Sequence, residues 1–206
     1  MRLGVLASGG GTNLQAIIDA CKSGELNADV CVVISNNSGS RALERAQSEG
    51  IPSYHISAVT HPHTPDGEIC RTLEAHDVDL VLLAGYMRLL GPVTLGRYGG
   101  RVLNSHPALL PKFGGKGMYG SNVHRAVLDA GETVTGVTIH HVDGQYDHGD
   151  TLAQCEVPVL SGDTLESLEE RVKERERRFW VETLHMLATQ DRLTVLDDTG
   201  EAHCSR

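Results

Sequence analysis

The feature that most constrains the fold of this chain is the alternation of short apolar runs with longer segments of helical periodicity. Apolar runs occupy residues 3–7, 30–35, 80–84 and 102–104. Runs of this kind are typical of central strands that are covered on both faces. Helical segments lie between them, at residues 13–22, 40–48, 65–76 and 92–98. This order predicts right-handed βαβ crossovers, and therefore an α/β fold with a doubly wound, mostly parallel sheet.

The second half of the chain is predicted to add a helix, two strands and a long C-terminal helix. The first helix follows Asn122 and ends near residue 130. Residues 133–141 are rich in Thr and Val, which favours a strand, and residues 151–157 are predicted to form a second strand. The long helix is predicted to begin at Asp163, with Glu166 three residues later completing a capping box.

Composition narrows the class of protein. The formal net charge of -9 disfavours sequence-independent binding to nucleic acid, which requires a surplus of Lys and Arg. No stretch has the pattern of a membrane span or a secretory leader. The chain has no CxxC pair, and scattered cysteines of this kind are expected to be reduced thiols in the cytoplasm. The cysteines are Cys21, Cys31, Cys70, Cys155 and Cys204. Without internal repeats or linkers, residues 1–206 are expected to form a single domain, as a monomer or a homodimer.

Three successive glycines, Gly9 to Gly11, lie between the first predicted strand and the first predicted helix. Bare backbone N–H groups and the helix dipole attract anions at such a position, so the loop is predicted to bind a phosphate. It matches neither nucleotide fingerprint, because it has no GxGxxG pattern and no lysine follows the glycines. The alternative is a tight turn that needs a positive φ angle, although three glycines exceed that need.

Asn104, Ser105 and His106 lie at the carboxyl end of a predicted strand, where open α/β sheets build their sites. Side chains alternate along a strand, so Asn104 and His106 are predicted to point one way and Ser105 the other. An amide can donate to a developing oxyanion and an imidazole can carry a proton, which suits acyl transfer. The alternative is a hydrogen-bonded pair with only a structural role.

His140 and Asp147 follow in and beyond the next predicted strand, with Asp147 in a glycine-bounded loop. If this loop folds over the strand ends, the Asp147 carboxylate is expected to keep His106 protonated, since a nearby negative charge raises the pKa of an imidazole. His141 and His148 are close in sequence, but their spacing is not that of a zinc site, so no metal is expected. The alternative is an ordinary polar loop.

One carboxylate interrupts the apolar face of the last predicted helix. At 100° per residue, Glu176 falls at the centre of the stripe formed by Leu165, Leu168, Val172, Phe179, Trp180 and Leu187. A carboxylate in such a place needs a partner. The two candidates are a neighbouring arginine and the hydroxyl groups of a ligand.

Together these elements resemble the phosphoribosylglycinamide formyltransferase family, the folate-dependent transformylases of purine synthesis. The resemblance covers nearly the whole chain. It rests on four motifs: residues 8–15 (SGGGTNLQ), 83–90 (LAGYMRLL), 104–111 (NSHPALLP) and 142–147 (VDGQYD). Asn-x-His-Pro-x-Leu-Leu-Pro with a downstream Asp is specific for folate formyltransferases as a class, and the glycine loop narrows that class.

The resemblance implies a Rossmann-like formyltransferase fold and transfer of a formyl group from 10-formyltetrahydrofolate to the amine of glycinamide ribonucleotide. The catalytic residues that it implies are Asn104, His106 and Asp147, supported by His140 and Gly85. The residues that it implies for the substrate phosphate and ribose are Gly11, Thr12, Asn13 and Glu176. Those that it implies for the folate are Met87, Arg88, Leu89, Leu90 and Asn104.

Two segments depart from the family pattern. Residues 114–120 form a longer, glycine-rich stretch, a candidate flap near the phosphate that Lys116 would contact. Residues 60–66 hold two histidines and two prolines where some relatives place an arginine that helps to hold the folate.

Several functions remain as alternatives. Within folate chemistry they are a formyltetrahydrofolate deformylase, a methionyl-tRNA formyltransferase and a sugar-nucleotide formyltransferase. Relatives of the first two usually carry a further regulatory or RNA-binding domain, for which this chain is expected to have no room. Its acidic balance also disfavours a tRNA substrate. From a different class, the chain could be a phosphate-binding module without catalysis.

Overall fold

The computed structural model describes residues 1–189, so Cys204 lies outside the described part of the chain. The strands are β1 (Arg2–Leu6), β2 (Asp29–Ser35), β3 (Ser53–His55), β4 (Leu80–Leu83), β5 (Val102–His106), β6 (Val134–His141) and β7 (Thr151–Pro158). The helices are α1 (Thr12–Ser23), α2 (Arg41–Ser48), α3 (Pro65–Ala75), α4 (Pro92–Arg97), α5 (Ser121–Asp129) and α6 (Leu165–Thr189). None of these helices is long and apolar enough to cross a membrane.

The seven strands form one sheet in the order β3-β2-β1-β4-β5-β6-β7. Neighbouring strands from β3 to β5 are parallel, while β6 pairs antiparallel with both β5 and β7. The prediction of a doubly wound, mostly parallel sheet is therefore confirmed. The sequence did not predict β3, because its three residues are too short and too polar to give an apolar run.

Helices cover both faces of the sheet, which explains why the central strands are apolar throughout. On one face, α1, α2 and α6 share a hydrophobic core with strands of the sheet, and Leu14, Ile17 and Trp180 are fully buried there. On the other face, α3 and the end of α4 contribute Leu73 and Tyr98 to a second core. Helices thus pack on both faces of the sheet, and the loops lie at the ends of its strands.

The long helix α6 begins two residues later than predicted, at Leu165. Thr164 is its cap: Ser167 N donates to Thr164 Oγ1 (3.2 Å), and Thr164 N donates to Ser167 Oγ (3.0 Å). The predicted capping box of Asp163 with Glu166 is therefore wrong. Asp163 instead accepts two hydrogen bonds of 2.7 Å from the Arg171 guanidinium, which lowers the pKa of the Asp163 carboxyl.

Candidate active site

The predicted motifs meet along one edge of the sheet. Because β1, β4 and β5 are adjacent and parallel, the segments that follow them leave the sheet side by side. The segment after β1 touches the segment after β4: Ser8 N donates to Gly85 O (3.0 Å), and Met87 N donates to Ser8 Oγ (2.8 Å). Asn104 and His106 end the third of these strands, β5. Open α/β sheets place their ligands at this edge.

The glycine loop turns its carbonyl groups towards α2. Ser40 Oγ donates to Gly9 O, and Arg45 Nε donates to Gly10 O, both at 2.9 Å. Gly11 caps α1 at φ 68°, and a Cβ added there would lie 2.8 Å from the Cα of Ala42. No side chain caps the first turn of α1, so its N–H groups are available to an anion.

The segment after β4 presents apolar side chains beside this loop. Gly85 turns the chain at φ 77°, and the side chains of Met87 and Leu89 are about half exposed. Arg88 is exposed between them. Leu90 is only 5% exposed and packs in the second core, so it can meet a ligand only through its backbone.

Asp147 reaches His106, as the sequence led us to expect. His106 Nδ1 lies 3.4 Å from Asp147 Oδ2. The loop that carries Asp147 turns through positive φ angles at Gly144 (92°) and at Asp147 itself (54°). It closes tightly against the end of β6, since a Cβ at Gly149 would lie 1.9 Å from the carbonyl oxygen of His141. The glycines therefore allow the close approach that brings the two side chains together.

The glycine-rich stretch also contacts this pair, which the sequence did not predict. His106 Nε2 donates to the Phe113 carbonyl (2.7 Å), and Gly115 N donates to Asp147 Oδ2 (2.9 Å). Phe113 has a φ of 56°, so the chain turns sharply as it leaves the Leu-Leu-Pro segment. Lys116, expected near the phosphate, is exposed. The first residues of the candidate flap therefore contact the catalytic candidates directly.

His140 joins Asn104 to Asp147. It pairs with Asn104 across β5 and β6, and its Nε2 lies 3.1 Å from Asn104 Nδ2 and 3.7 Å from Asp147 Oδ1. The carbonyl of His141 can only accept, so His140 Nδ1 carries a hydrogen and donates to it (2.8 Å). In the neutral ring Nε2 then accepts from Asn104, whose second amide hydrogen is left for a ligand.

Burial dominates the charge state of the central imidazole. The His106 side chain is 3% exposed, and this burial lowers the pKa of His106 although Asp147 and the Phe113 carbonyl oppose the shift. Burial alone would raise the pKa of Asp147, but His140, His106 and the Gly115 N–H together lower it. Burial thus outweighs Asp147 in its effect on the pKa of His106, so the expected effect of Asp147 is present but does not set the direction of the net shift.

Glu176 has a partner that neither sequence alternative named. Ser105, on the opposite side of β5 from Asn104 and His106, donates to Glu176 Oε1 (2.5 Å). The neighbouring arginines bind other carboxylates: Arg175 with Glu182, Arg177 with Glu170, and Arg178 with Glu174. The arginine alternative for Glu176 is therefore wrong. The alternation along β5 and the carboxylate on the apolar stripe were both visible in the sequence, but their meeting was not.

The histidines of this region do not gather into a metal centre. His148 Nδ1 lies 2.6 Å from Asp143 Oδ2 in an exposed pair. Within residues 1–189, no three His, Cys, Asp or Glu side chains are grouped so that they could hold a metal ion.

The chain matches a known protein family. Residues 1–184 match the family model described as "Formyl transferase", and the chain belongs to this family. The resemblance drawn from the four sequence motifs is therefore confirmed.

The similar proteins narrow the family further. The chain is 41% identical over 187 residues to the chloroplastic phosphoribosylglycinamide formyltransferase of Arabidopsis thaliana, covering 89% of this chain and 64% of that protein. It is 38% identical over 182 residues to the phosphoribosylglycinamide formyltransferase of Escherichia coli (strain K12), covering 87% and 84%. The crystal structure of glycinamide ribonucleotide transformylase 1 from Symbiobacterium toebii is 41% identical with a TM-score of 0.85, covering 92% and 88%. The chain thus spans less than two thirds of the plant protein.

Proposed function

We propose that this protein transfers the formyl group of 10-formyltetrahydrofolate to the amine of glycinamide ribonucleotide, giving formylglycinamide ribonucleotide and tetrahydrofolate. The observation that carries the proposal is the approach of Asp147 to His106, 3.4 Å apart, beside Asn104 at the carboxyl edge of the sheet. A proton carrier, its carboxylate and an oxyanion donor in one place suit acyl transfer. The names of the similar proteins support the choice of substrates.

The glycine loop and the start of α1 are assigned to the substrate phosphate. The N–H groups of Gly11, Thr12 and Asn13 lie at the N-terminus of α1, where the helix dipole favours negative charge. Glu176 is assigned to the ribose hydroxyls, since its carboxylate lies on the side of β5 that faces α1 and α6. The phosphate and ribose would then lie along α1, and the amine would reach β5.

The segment after β4 is assigned to the folate. Its exposed apolar side chains, Met87 and Leu89, offer a surface for a flat ring, and the backbone from Arg88 to Leu90 offers donors and acceptors for the ring edge. Gly85 turns this segment beside the glycine loop. The two substrates would therefore meet above β4 and β5, with the formyl group at Asn104.

The chain's residues move one proton and stabilise one charge during the transfer. As the amine bonds to the formyl carbon, the carbonyl oxygen becomes negative and the amine nitrogen positive. Because His106 Nε2 donates to the Phe113 carbonyl, a neutral His106 can accept the amine proton only at Nδ1, the ring atom that lies 3.4 Å from Asp147 Oδ2, and it releases the proton from the same atom. The free amide hydrogen of Asn104 donates to the oxyanion. The proton then goes to N10 of the folate as the carbon–nitrogen bond breaks.

We further propose that the protein acts in the cytoplasm on small molecules and not on nucleic acid. The free thiols of Cys21, Cys31, Cys70 and Cys155 and the formal net charge of -9 support this. The sequence accommodates a monomer or a homodimer.

A transfer assay tests the proposed function. Protein mixed with 10-formyltetrahydrofolate and glycinamide ribonucleotide is expected to produce tetrahydrofolate only when both substrates are present. Tetrahydrofolate and free formate without the amine would instead identify a deformylase. No turnover with either mixture, together with retained phosphate binding, would support a binding module.

A further inference from the structure

A chain of hydrogen bonds runs from the core of the protein to Glu176. Trp180 Nε1 donates to Ser105 Oγ (3.0 Å), and Ser105 Oγ donates to Glu176 Oε1 (2.5 Å). The direction of this chain is fixed by chemistry. An indole N–H can only donate and a carboxylate can only accept, so the Ser105 hydroxyl must point its hydrogen at Glu176.

We propose that Ser105 is a positioning residue for substrate recognition: its hydroxyl, oriented by Trp180, holds the Glu176 carboxylate ready to accept hydrogen bonds from the ribose hydroxyls of the substrate. This inference rests on the proposed function, because that function supplies the ribose. A carboxylate has about four acceptor sites, so the bond from Ser105 leaves capacity for a ligand. Trp180 is fully buried and holds the serine in place.

The surroundings of Glu176 show why the serine hydroxyl matters. Burial raises the pKa of Glu176, while Ser105 from β5 and Asn13 from α1 lower it. Lys173 and Arg177 on α6 act in the same direction as those hydrogen bonds, and Cys155 of β7 is also a titratable neighbour. Removing the Ser105 hydroxyl is therefore expected to raise the pKa of Glu176, so that less of it is ionised at a given pH.

The position of Ser105 in the strand adds a second consequence. It lies between Asn104 and His106, and the alternation of β5 sends its side chain to the face covered by α6. One strand therefore carries oxyanion and proton-transfer groups on one side and the ribose-recognition contact on the other. The distance between the ribose and the reacting amine is thereby tied to the geometry of three consecutive residues.

The chain offers its own reporter for a test, since Trp180 is its single tryptophan. The fluorescence of the native protein is expected to change with pH as Glu176 titrates. Glu176→Gln should abolish this transition, Ser105→Ala should move its midpoint to higher pH, and Ser105→Thr should restore it. Far-ultraviolet circular dichroism of each variant checks that the fold is kept. An unchanged midpoint in Ser105→Ala, or a transition that survives Glu176→Gln, would overturn the proposal.

Steady-state kinetics provide a second test of the role of Ser105. Ser105→Ala is expected to raise the KM for glycinamide ribonucleotide about tenfold, as for loss of a hydrogen bond to a charged group. Its kcat and its KM for the folate should change by less than about threefold, since no contact to the oxyanion is lost. Ser105→Thr should return the KM towards that of the native protein. A KM unchanged in Ser105→Ala would overturn the proposal.

The two arms also separate this inference from the function on which it rests. If the native protein fails to transfer the formyl group, the proposed function fails, and the fluorescence titration still decides whether Ser105 controls Glu176. Binding of ribose 5-phosphate, followed by the same fluorescence, then replaces the KM. Weaker binding to Ser105→Ala than to the native protein is expected, and equal binding would contradict the positioning role.

Discussion

His106 lies between influences that shift its pKa in opposite directions. Burial favours the neutral ring, while the Asp147 carboxylate and the Phe113 carbonyl favour the imidazolium. In the free protein burial prevails. A negative oxygen that develops nearby adds to the second influence, so the ring is poised to gain a proton as the reaction proceeds rather than before it.

The pH dependence of catalysis tests this account of His106. Since a proton acceptor must be neutral, kcat/KM should fall in acid with an apparent pKa below the ordinary histidine value of about 6.5. Asp147→Asn removes the charge that raises the pKa of His106, so the acidic limb should move to still lower pH while kcat falls. Asp143→Asn, in the same loop but paired with His148, should leave the limb in place. A limb that moves to higher pH in Asp147→Asn would contradict the account.

Asn104 is expected to act mainly in the transition state. Asn104→Ala removes one oxyanion donor, which typically costs about 3 to 4 kcal/mol, so kcat should fall by roughly a hundredfold or more. Steady-state kinetics with both substrates measures this loss, and Asn27→Ala, in an exposed position between α1 and β2, is the control. Turnover of Asn104→Ala within about tenfold of the native protein would remove Asn104 from the mechanism.

For single residues, the sequence predicted the directions of side chains better than their pKa values. Alternation along β5 placed Asn104 and His106 on one side and Ser105 on the other, because a strand has a fixed period of two. The pKa of His106 depends on burial, which lowers it, and on the Asp147 carboxylate and the Phe113 carbonyl, which raise it. These influences come from tertiary contacts, which no local sequence pattern predicts.

Among the elements, the glycine loop combines two roles in one turn: one glycine packs against α2, and the others stay exposed to a ligand. Gly11 has a positive φ and lies against α2, whereas Gly10 has no neighbouring atom within 4 Å of an added Cβ. Only one of the three glycines is thus needed for the turn, and Gly9 and Gly10 are exposed. This agrees with the view that three glycines exceed the need of a turn.

Substitution of the glycines separates these roles. Gly11→Ala should lower the free energy of unfolding by at least about 1 kcal/mol, because a side chain in a left-handed conformation costs about that much and the Cβ also collides with Ala42. Gly10→Ala should lower it by less than about 0.5 kcal/mol. Urea denaturation measures both. Equal losses from the two substitutions would be inconsistent with this packing.

Two substitutions at the start of α6 distinguish the Thr164 cap from the capping box of Asp163 with Glu166. Thr164→Ala should lower the free energy of unfolding by about 1 kcal/mol, as for loss of a helix cap. Glu166→Ala is the matched control and should have a smaller effect, since the backbone N–H that the Thr164 side chain caps is that of Ser167. Thermal unfolding compares the two variants. A larger loss from Glu166→Ala would restore the capping box that the sequence suggested.

Elements and contacts that carry no sequence pattern could not be predicted from the sequence. Apolar runs and helical periods gave six of the seven strands and all six described helices, because buried elements carry strong patterns. The three residues of β3 carry no such pattern. The contacts of Phe113 with His106 and of Gly115 with Asp147 also could not be predicted, because they depend on turns at Phe113 and Gly115 rather than on periodicity.

At the scale of the whole molecule, the function depends on the strand order. Residues 8–13 and residues 85–90 are far apart in sequence, yet β1 and β4 are neighbours and bring them into contact. A parallel sheet predicts that the motifs share one edge, but it does not fix which strands are adjacent. The sequence therefore did not predict that β1 and β4 are neighbours, which the structure shows.

A single-turnover experiment with a labelled formyl group tests whether His106 takes part in formyl transfer to glycinamide ribonucleotide. Excess protein is mixed with glycinamide ribonucleotide and 10-formyltetrahydrofolate that carries ¹³C in the formyl carbon, and the products are followed by mass spectrometry. The account predicts that the label appears on the amine of the ribonucleotide in step with tetrahydrofolate, and that His106→Ala slows this appearance by roughly a hundredfold. Label released as free formate, or transferred equally fast by His106→Ala, would contradict it.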